Sequence, residues 1–408
     1  MKCRNCGAEL SLVFADLATA PPSNAYLTQD MLKKPEKWFP LKIMVCSSCW
    51  LVQTDDYLGR DELFAPDYAY FSSFSSTWLE HSRKYVEDMI ARFGLDASSM
   101  VIEVASNDGY LLQYVKLAGI PCLGIEPTTS TATAALEKGI ETLEEFFSVE
   151  LAEKLANEEK SADLMVANNV LAHVPDINDF VAGFTRLLKP NGVATFEFPH
   201  LMQLVMHNQF DTIYHEHFSY LSLTAVNEIF EKNGLLVFDV EELETHGGSL
   251  RVFACKKETS SYEISDRVGN LLDIEERNGM KTEEYYTSFQ QRINKAKDDF
   301  VAFLIDAKRN EKKVVGYGAA AKGNTLFNYG GVRSDLVSFV VDANPQKQGK
   351  FLPGNHIPIV EESQIRMLEP DYVIIIPWNL KEEIMNQLSY IREWNGKFVL
   401  AIPEMMIV

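Results

Sequence analysis

The run Asp211–Ser222 (DTIYHEHFSYLS) contains the densest group of side chains able to exchange protons near neutral pH, because Tyr214, His215, Glu216 and His217 are consecutive. Imidazole titrates near neutral pH, so histidine is the usual general base for removing a weakly acidic proton. If the run is extended, alternation places Tyr214 and Glu216 on one face and the two histidines on the other. One histidine would then face a substrate, and spacing alone does not say which.

The same run is also compatible with a metal site or with a solvated polar loop that has no chemistry. The metal site is the weaker alternative, because H-E-H lacks the i, i+4 spacing of a helical zinc pair. Both alternatives stay open at the level of the sequence.

Two Cys-x-x-Cys pairs near the N-terminus can supply four thiolates to one ion: Cys3, Cys6, Cys46 and Cys49. A closed site of four thiolates is typical of structural zinc. A redox pair or four unrelated thiols are the alternatives. The long insert between the pairs is rich in proline and aromatic residues, and we expect irregular structure that packs on a neighbour.

Length and charge narrow the class of protein. A chain of 408 residues predicts two or three domains. A formal net charge of −20 disfavours nucleic acid or an anionic membrane as a partner. We see no signal peptide and no bilayer-spanning run, so we expect a cytoplasmic protein whose cysteines do not form a disulfide framework.

The middle of the chain has the pattern of a β-α-β unit. The strand-like MVIEVASN leads into Asp108-Gly109 and a helix start, and a second strand ends at Glu126. Ligands bind at such strand ends, where turn amides suit a carboxylate or phosphate and Glu126 is placed to take a ribose diol. The dinucleotide pattern G-x-G-x-x-G is absent.

Further polar side chains follow predicted strands. His173 and His200 both fall at strand ends, where a ligand role competes with a hydrogen-bonded structural role. Gly247 and Gly248 would allow close approach of a ligand to Arg251, which could pair with a phosphate; a hairpin turn is the alternative.

The C-terminal part repeats the α/β pattern after a charged helical region, 262–308. The strand KVVGY is followed by a small-residue loop, Gly318–Asn324, and then a helix. This loop could cradle a diphosphate, with Lys322 adding positive charge. Earlier in the chain, the stretch Phe64–Trp78 mixes aromatic and hydroxyl side chains, as either a sugar-binding wall or a hydrophobic linker does.

In this order, the motifs resemble the sugar C-methyltransferase family of deoxysugar pathways, which places a methyl branch at C-3 of nucleotide-linked 4-keto-6-deoxy sugars. The resemblance spans the chain and is most specific at CxxC…CxxC, EVASNDG, YHEHFSYLS and GYGAAAKGNTLFNY. It implies an α/β protein with a zinc-binding domain (1–75), a Rossmann-like S-adenosylmethionine-binding methyltransferase domain (76–258) and a smaller Rossmann-like domain (259–408) that helps bind the nucleotide-sugar.

The resemblance also implies roles for individual residues. The catalytic roles, with His217 as the base, fall on His217, Glu216, Tyr214, His173 and either Tyr68 or Tyr70. The cofactor-binding roles fall on Glu103, Ala105, Ser106, Asn107, Asp108, Gly109, Glu126, Pro127, Asn168 and Asn169. The substrate-binding roles fall on His200, His215, Arg251, Tyr317, Lys322 and Asn324.

The implied reaction is S-adenosylmethionine-dependent C-methylation of a nucleotide-linked sugar, with dTDP as the expected nucleotide, through a base-generated enolate. Zinc is expected to be structural and the protein to be a monomer or small homo-oligomer. An O- or N-methyltransferase and a non-enzymatic zinc-containing binding protein are the alternatives. The net charge argues against a nucleic-acid methyltransferase.

Overall fold

A computed structural model describes residues 1–57, 71–259 and 262–408. These residues form three β-sheets flanked by helices, which confirms the expected α/β class. Tyr68 and Tyr70 lie outside the described residues, so their catalytic roles stay predictions.

The N-terminal sheet is antiparallel. Its strands are β1 (Leu12–Ala20), β2 (Phe39–Val45), β3 (Val52–Thr54) and β9 (Ser219–Tyr220). They pair in the order β1-β2-β3-β9. The expectation of an irregular insert is therefore wrong for β1 and β2, which pair antiparallel and bury apolar side chains of both strands. The edge strand β9 comes from the histidine-rich run, which joins that run to the N-terminal sheet.

The central sheet carries most of the strands predicted from the middle of the chain. Its strands are β4 (Val101–Val104), β5 (Cys122–Ile125), β6 (Thr142–Leu143), β7 (Ala162–Asn168), β8 (Leu188–Pro199), β10 (Leu235–Leu243) and β11 (Ser249–Lys256). Their order is β10-β11-β8-β7-β4-β5-β6, parallel from β8 to β6 and antiparallel at β10 and β11. The carboxyl ends of the parallel strands thus share one edge.

The helices of this part are α1 (Ser76–Phe93), α2 (Leu112–Leu117), α3 (Thr129–Glu137), α4 (Val149–Asn157), α5 (Ile177–Leu187), α6 (Leu201–Met206) and α7 (Leu223–Lys232). Local sequence sets the limits of α1. The Ser75 side chain accepts the Trp78 N–H at its start, and Gly94 adopts φ 64° at its end.

The C-terminal sheet is smaller and mostly parallel. Its strands are β12 (Val314–Tyr317), β13 (Val340–Val341), β14 (Ile359–Val360), β15 (Tyr372–Ile375), β16 (Lys397–Leu400) and β17 (Met406–Ile407). They pair in the order β14-β13-β12-β15-β16-β17, with β17 antiparallel. Its helices are α11 (Ala321–Tyr329), α12 (Ser363–Leu368) and α13 (Lys381–Gln387).

The predicted helical region before this sheet forms separate helices: α8 (Asp266–Arg277), α9 (Glu283–Thr287) and α10 (Phe289–Arg309). Short 3-10 helices occur at Met31–Lys33, Ser72–Phe74, Leu171–His173, Phe210–Thr212, Thr245–Gly247, Trp378–Leu380 and Ser389–Trp394.

One hydrophobic core joins the N-terminal sheet to the C-terminal part. Phe14 of β1 stacks on Phe289 of α10 with ring centroids 4.9 Å apart, and Trp50 stacks on Tyr286 at 5.7 Å. These contacts pack the N-terminal sheet against the helices that precede the C-terminal sheet. Within the described ranges, no helix is both long enough and apolar enough to cross a membrane.

Candidate active site

The histidine-rich run is a turn and not an extended segment, so the alternation of faces that an extended run would have does not apply. The His217 N–H donates to the Tyr214 carbonyl oxygen at 3.0 Å, and sheet pairing begins only at Ser219. The turn brings the rings of Tyr214 and His217 together, with centroids 4.1 Å apart. It turns the two intervening side chains, of His215 and Glu216, in another direction.

The protonation state of His217 follows from its surroundings. Its Nδ1 lies 2.9 Å from the Thr212 carbonyl oxygen, which only accepts hydrogen bonds, so Nδ1 carries the proton. Nε2 of the neutral ring is then a proton acceptor. Burial lowers the pKa of His217 well below its usual value, and the neighbouring His173 adds to the shift. The ring is therefore a neutral base.

His173 lies beside this base, with ring centroids 4.6 Å apart. Its Nδ1–H donates to the Glu216 carbonyl oxygen at 2.7 Å, so its Nε2 is also the acceptor nitrogen. Burial lowers the pKa of His173 to about 4. Two neutral imidazoles and the Tyr214 phenol thus form one group.

Glu216 and His215 face the N-terminal part of the chain. One Glu216 carboxylate oxygen accepts from the backbone N–H of Asn24 at 3.1 Å and from its side-chain amide at 3.2 Å. His215 Nε2–H donates to the Pro40 carbonyl oxygen at 3.1 Å. The geometry places His217, and not His215, beside Tyr214 and His173. The substrate-binding role of His215 stays a prediction.

Two of the predicted substrate ligands contact buried carboxylates of the protein. Arg251 is 5% exposed, and its guanidinium lies 3.0 Å from Glu197 Oε2 and 3.3 Å from Glu241. His200 is 1% exposed, with Nε2 2.7 Å from Glu275 Oε1. Each side chain has a carboxylate partner within the protein, and their contact with a substrate stays a prediction.

The small-residue loop of the C-terminal sheet adjoins α11. The Ala319 N–H donates to Asp342 Oδ2 at 2.8 Å, which places a carboxylate where a diphosphate was expected to bind. That carboxylate is paired with Lys347 at 3.2 Å, so the loop already holds an anion of the protein itself. The phosphate-binding role of Lys322 stays a prediction. Lys322 Nζ donates to Asn379 Oδ1 at 2.7 Å.

Two other predicted substrate-binding residues, Asn324 and Tyr317, are hydrogen-bonded to neighbouring segments. The Asn324 side-chain amide donates to the Ser23 carbonyl oxygen at 2.6 Å. The Tyr317 hydroxyl accepts from Gln387 Nε2 at 2.7 Å. Their substrate-binding roles stay predictions.

The turn after β4 has the backbone of a ligand cradle. Ala105, Asn107 and Gly109 have φ of 57°, 50° and 73°, a left-handed conformation that is uncommon without glycine. Glu126, which precedes Pro127, accepts the Asn107 N–H at 3.0 Å on one oxygen and the Thr128 N–H at 2.9 Å on the other. Glu126 thereby ties the end of β5 to this turn.

Buried polar atoms around this turn fit a polar ligand. Four of them have no hydrogen-bond partner within the described part of the chain: Ser106 Oγ, Asp108 Oδ1, Asn168 Oδ1 and Asn169 Oδ1. Burial also raises the pKa of Glu103 well above its usual value, while the Tyr110 hydroxyl opposes the shift. Leaving such groups unpaired is costly, so the residues present suit the amino-acid and ribose groups of a cofactor.

A glycine substitution tests the packing of this turn. At Gly109, φ is 73° and an added Cβ would lie 2.4 Å from Ile140 Cδ1, whereas Gly119 has φ 75° and open space around it. We expect Gly119→Ala to lower the free energy of unfolding by about 1–2 kcal/mol from backbone strain alone. We expect Gly109→Ala to lower the free energy of unfolding by more than Gly119→Ala does, and also to weaken cofactor binding. Denaturant titration and calorimetric binding measure the two effects, and equal losses of stability would contradict the packing argument.

The four N-terminal cysteines form one cluster. Their Sγ atoms all lie within 4.8 Å of one another, and the Cys3–Cys49 and Cys6–Cys46 sulfurs are each 3.5 Å apart. The Gln53 side-chain amide donates to Cys3 Sγ at 3.3 Å. Four thiolates with an amide donor fit a tetrahedral zinc ion and do not resemble two separate redox pairs.

Several residues that hydrogen-bond to the segments around His173 and His217 were not predicted from the sequence. The Arg4 guanidinium donates to the carbonyl oxygens of Pro175 and Thr54 at 2.7 Å each. Thr54 Oγ1 donates to the carbonyl oxygen of His217 at 3.1 Å. The zinc-binding region therefore braces the segments that carry His173 and His217. Arg4 lies within the first Cys-x-x-Cys pair, directly after Cys3, whereas Thr54 lies outside the motifs found in the sequence.

Family models match three successive stretches of the chain. Residues 3–64 match a zinc binding domain, 78–240 a methyltransferase domain and 244–403 a C-methyltransferase C-terminal domain. Together with the cradle after β4 and the cysteine cluster, they define an S-adenosylmethionine-dependent methyltransferase with a zinc-binding domain.

A relative extends the assignment over the whole chain. The protein is 34% identical over 407 residues to C-methyltransferase NovU from Streptomyces niveus, a match that covers 100% of this chain and 96% of the relative. The chain therefore belongs to the C-methyltransferase family.

Solved structures resemble part of the chain. Magnesium protoporphyrin IX methyltransferase from Synechocystis, solved with bound S-adenosylmethionine, has a TM-score of 0.37 and 13% identity, covering 50% of this chain and 100% of that chain. The PH0226 protein from Pyrococcus horikoshii has a TM-score of 0.38 and 16% identity, covering 46% and 95%. Likenesses at this level do not establish a shared substrate.

Proposed function

We propose that the protein transfers a methyl group from S-adenosylmethionine to C-3 of a nucleotide-linked 4-keto-6-deoxy sugar, with dTDP as the nucleotide. We also propose domains at 1–75, 76–258 and 259–408, because β11 completes the central sheet before residue 258. The observation that carries the proposal is the tautomer of His217. Its Nδ1–H donates to the Thr212 carbonyl oxygen, and its Nε2 is left as a base on a half-buried ring.

The proposed chemistry starts with proton removal. A 4-keto group acidifies the C-3 proton, and His217 Nε2 takes it while the electron pair moves to the keto oxygen. Acid–base catalysis of this kind contributes about two to four decades of rate. The product is a C-3 carbon nucleophile, which is what a C-methyltransferase needs.

The enolate oxygen requires a hydrogen-bond donor, and the geometry favours Tyr214 over His173. His173 uses its one imidazole proton on the Glu216 carbonyl oxygen, and burial holds its pKa at about 4, so its Nε2 accepts and does not donate. The Tyr214 hydroxyl can donate, and its ring lies against the base.

When bound, S-adenosylmethionine supplies an electrophilic methyl group. The residues proposed to hold it are the turn 103–109, Glu126 and the pair Asn168 and Asn169 at the end of β7. The buried, unpaired oxygens of Asp108, Asn168 and Asn169 support this assignment.

The depressed pKa of His217 predicts the pH dependence. A histidine whose pKa is lowered stays neutral at more acidic pH, so exchange of the C-3 proton should remain at its full rate below the usual value of 6.5. The rate should fall only as pH drops through the lowered pKa, because protonated His217 is no longer a base. A pH profile of kcat/KM for C-3 exchange checks this. Half-loss of the rate at pH 6.5 or above would contradict it.

The substrate assignment is tested with a panel of nucleotide-linked 4-keto sugars and labelled S-adenosylmethionine. We expect one product to gain the mass of a methyl group on carbon, located at C-3 by NMR. A methyl group found on oxygen or nitrogen would overturn the proposal.

A further inference from the structure

The carbonyl that fixes the His217 tautomer lies between two residues held by the C-terminal part of the chain. Thr212 provides that carbonyl oxygen, 2.9 Å from His217 Nδ1. On one side of it, Asp211 Oδ2 accepts from Trp378 Nε1–H at 2.8 Å. On the other side, the Ile213 carbonyl oxygen accepts from Thr325 Oγ1–H at 2.7 Å. The residues flanking Thr212 are thus both hydrogen-bonded to one neighbouring part of the protein.

Both donors come from one edge of the C-terminal sheet. Thr325 lies on α11, which follows β12, and Trp378 follows β15. β12 and β15 are adjacent parallel strands, so the segments after them emerge side by side. Strand carboxyl ends usually face a ligand, but here this edge contacts the segment that holds the base.

The Trp378 ring is fixed independently of its bond to Asp211. The Lys322 ammonium lies 4.3 Å from the ring centroid, within the range of a cation–π contact. Gly247 lies against the ring, because a Cβ there would be 2.4 Å from Trp378 Cη2. Asp211 is 1% exposed, so its hydrogen bond to Trp378 is shielded from water.

We infer that Trp378 and Thr325 are positioning residues for the catalytic base: by clamping Asp211 and Ile213, they hold the Thr212 carbonyl against His217 Nδ1. This inference rests on the proposed role of His217 as the base. If the carbonyl moves, the Nδ1–H tautomer loses its acceptor and the proton can shift to Nε2, the atom that must accept the substrate proton. The C-terminal part would then position the catalytic base in addition to helping bind the nucleotide.

Two conservative variants test the clamp. Thr325→Val keeps the shape and removes the donor, and Trp378→Phe keeps an aromatic ring and removes Nε1–H. We expect each to slow C-3 exchange about tenfold, the effect of one lost hydrogen bond to a buried partner, with KM for S-adenosylmethionine unchanged. Thr325→Ser should restore the rate. Thr185→Val is the matched control, because Thr185 Oγ1 also donates to a carbonyl oxygen at 2.7 Å but lies in the central part, bonded to Asn233.

A spectroscopic readout separates the clamp from general loss of structure. In 15N-histidine NMR spectra, wild type and Thr185→Val should show His217 as the Nδ1–H tautomer, whereas Thr325→Val and Trp378→Phe should show added Nε2–H form. His217→Gln assigns the signal. Wild-type tautomer populations in both clamp variants, or a rise in KM for the sugar nucleotide alone, would overturn the inference. Absence of methyl transfer from S-adenosylmethionine to any nucleotide-linked 4-keto sugar in wild type would instead refute the proposed function, while the tautomer populations would still test the clamp.

Discussion

Replacing His217 by alanine is expected to abolish measurable exchange of the C-3 proton, a loss of about two to four decades in rate. The reason is positional as well as chemical. His217 presents a neutral Nε2 because Nδ1–H is bound to the Thr212 carbonyl, and burial keeps the ring unprotonated. The alanine side chain has no atom that can accept a proton at that place. Proton NMR in deuterated solvent, with a keto sugar nucleotide and no cofactor, measures the rate directly.

The neighbouring histidines give this experiment its controls. His207→Ala removes an exposed imidazole from the same segment and should exchange at the wild-type rate. His173→Ala should slow exchange without abolishing it, since the base is intact. Persistent exchange in His217→Ala would assign the base to another residue. Cofactor binding measured by calorimetry shows whether that variant keeps its fold.

Removing the zinc site should cause the second large effect. Structural zinc contributes about 10 kcal/mol or more to the folding of small zinc domains. We therefore expect Cys46→Ala, or prolonged chelation of the wild type, to release the metal and unfold the N-terminal sheet. Methyl transfer should be lost with it, because Arg4 and Thr54 hold the segments around His173 and His217.

Metal analysis measures the bound zinc, calorimetric melting measures the stability, and the activity assay measures methyl transfer in the same samples. Cys122→Ser is the matched control, since Cys122 lies at the start of β5 and outside the cluster. It should keep one equivalent of zinc and the wild-type melting profile. Full activity in metal-free protein with an unchanged melting temperature would show that the cluster does not support the site.

Local patterns were enough to predict most strands of the central sheet and the four candidate metal ligands. Apolar runs followed by polar turns correctly placed β4, β5 and β7, because period and turn chemistry are local properties. Likewise, two Cys-x-x-Cys pairs specify a four-thiolate site whatever the length of the insert. The insert itself was misjudged, because β1 and β2 pair with each other across residues 21–38 and β2 also pairs with β3, so no short window of sequence contains the partners.

The arrangement within the candidate site could not be predicted in this way. An extended run around His217 would present alternate faces, but a hydrogen-bonded turn forms between Tyr214 and His217, and β9 pairs only from Ser219 onward. His200 meets Glu275, 75 positions away, and Arg251 meets Glu197, 54 positions away. Such partners are set by tertiary packing and leave no local signal. The choice of His217 over His215 rested on resemblance, and the tautomer of His217 emerged only from its contact with Thr212.

The most direct test of the central claim is cofactor-independent exchange at C-3 by the unmodified protein. With a nucleotide-linked 4-keto-6-deoxy sugar in deuterated water and no S-adenosylmethionine, we predict that the C-3 proton signal disappears while the other ring protons persist. A C-3 signal that stays intact for a sugar that the protein methylates when cofactor is added would contradict proton removal by His217 as a separate first step.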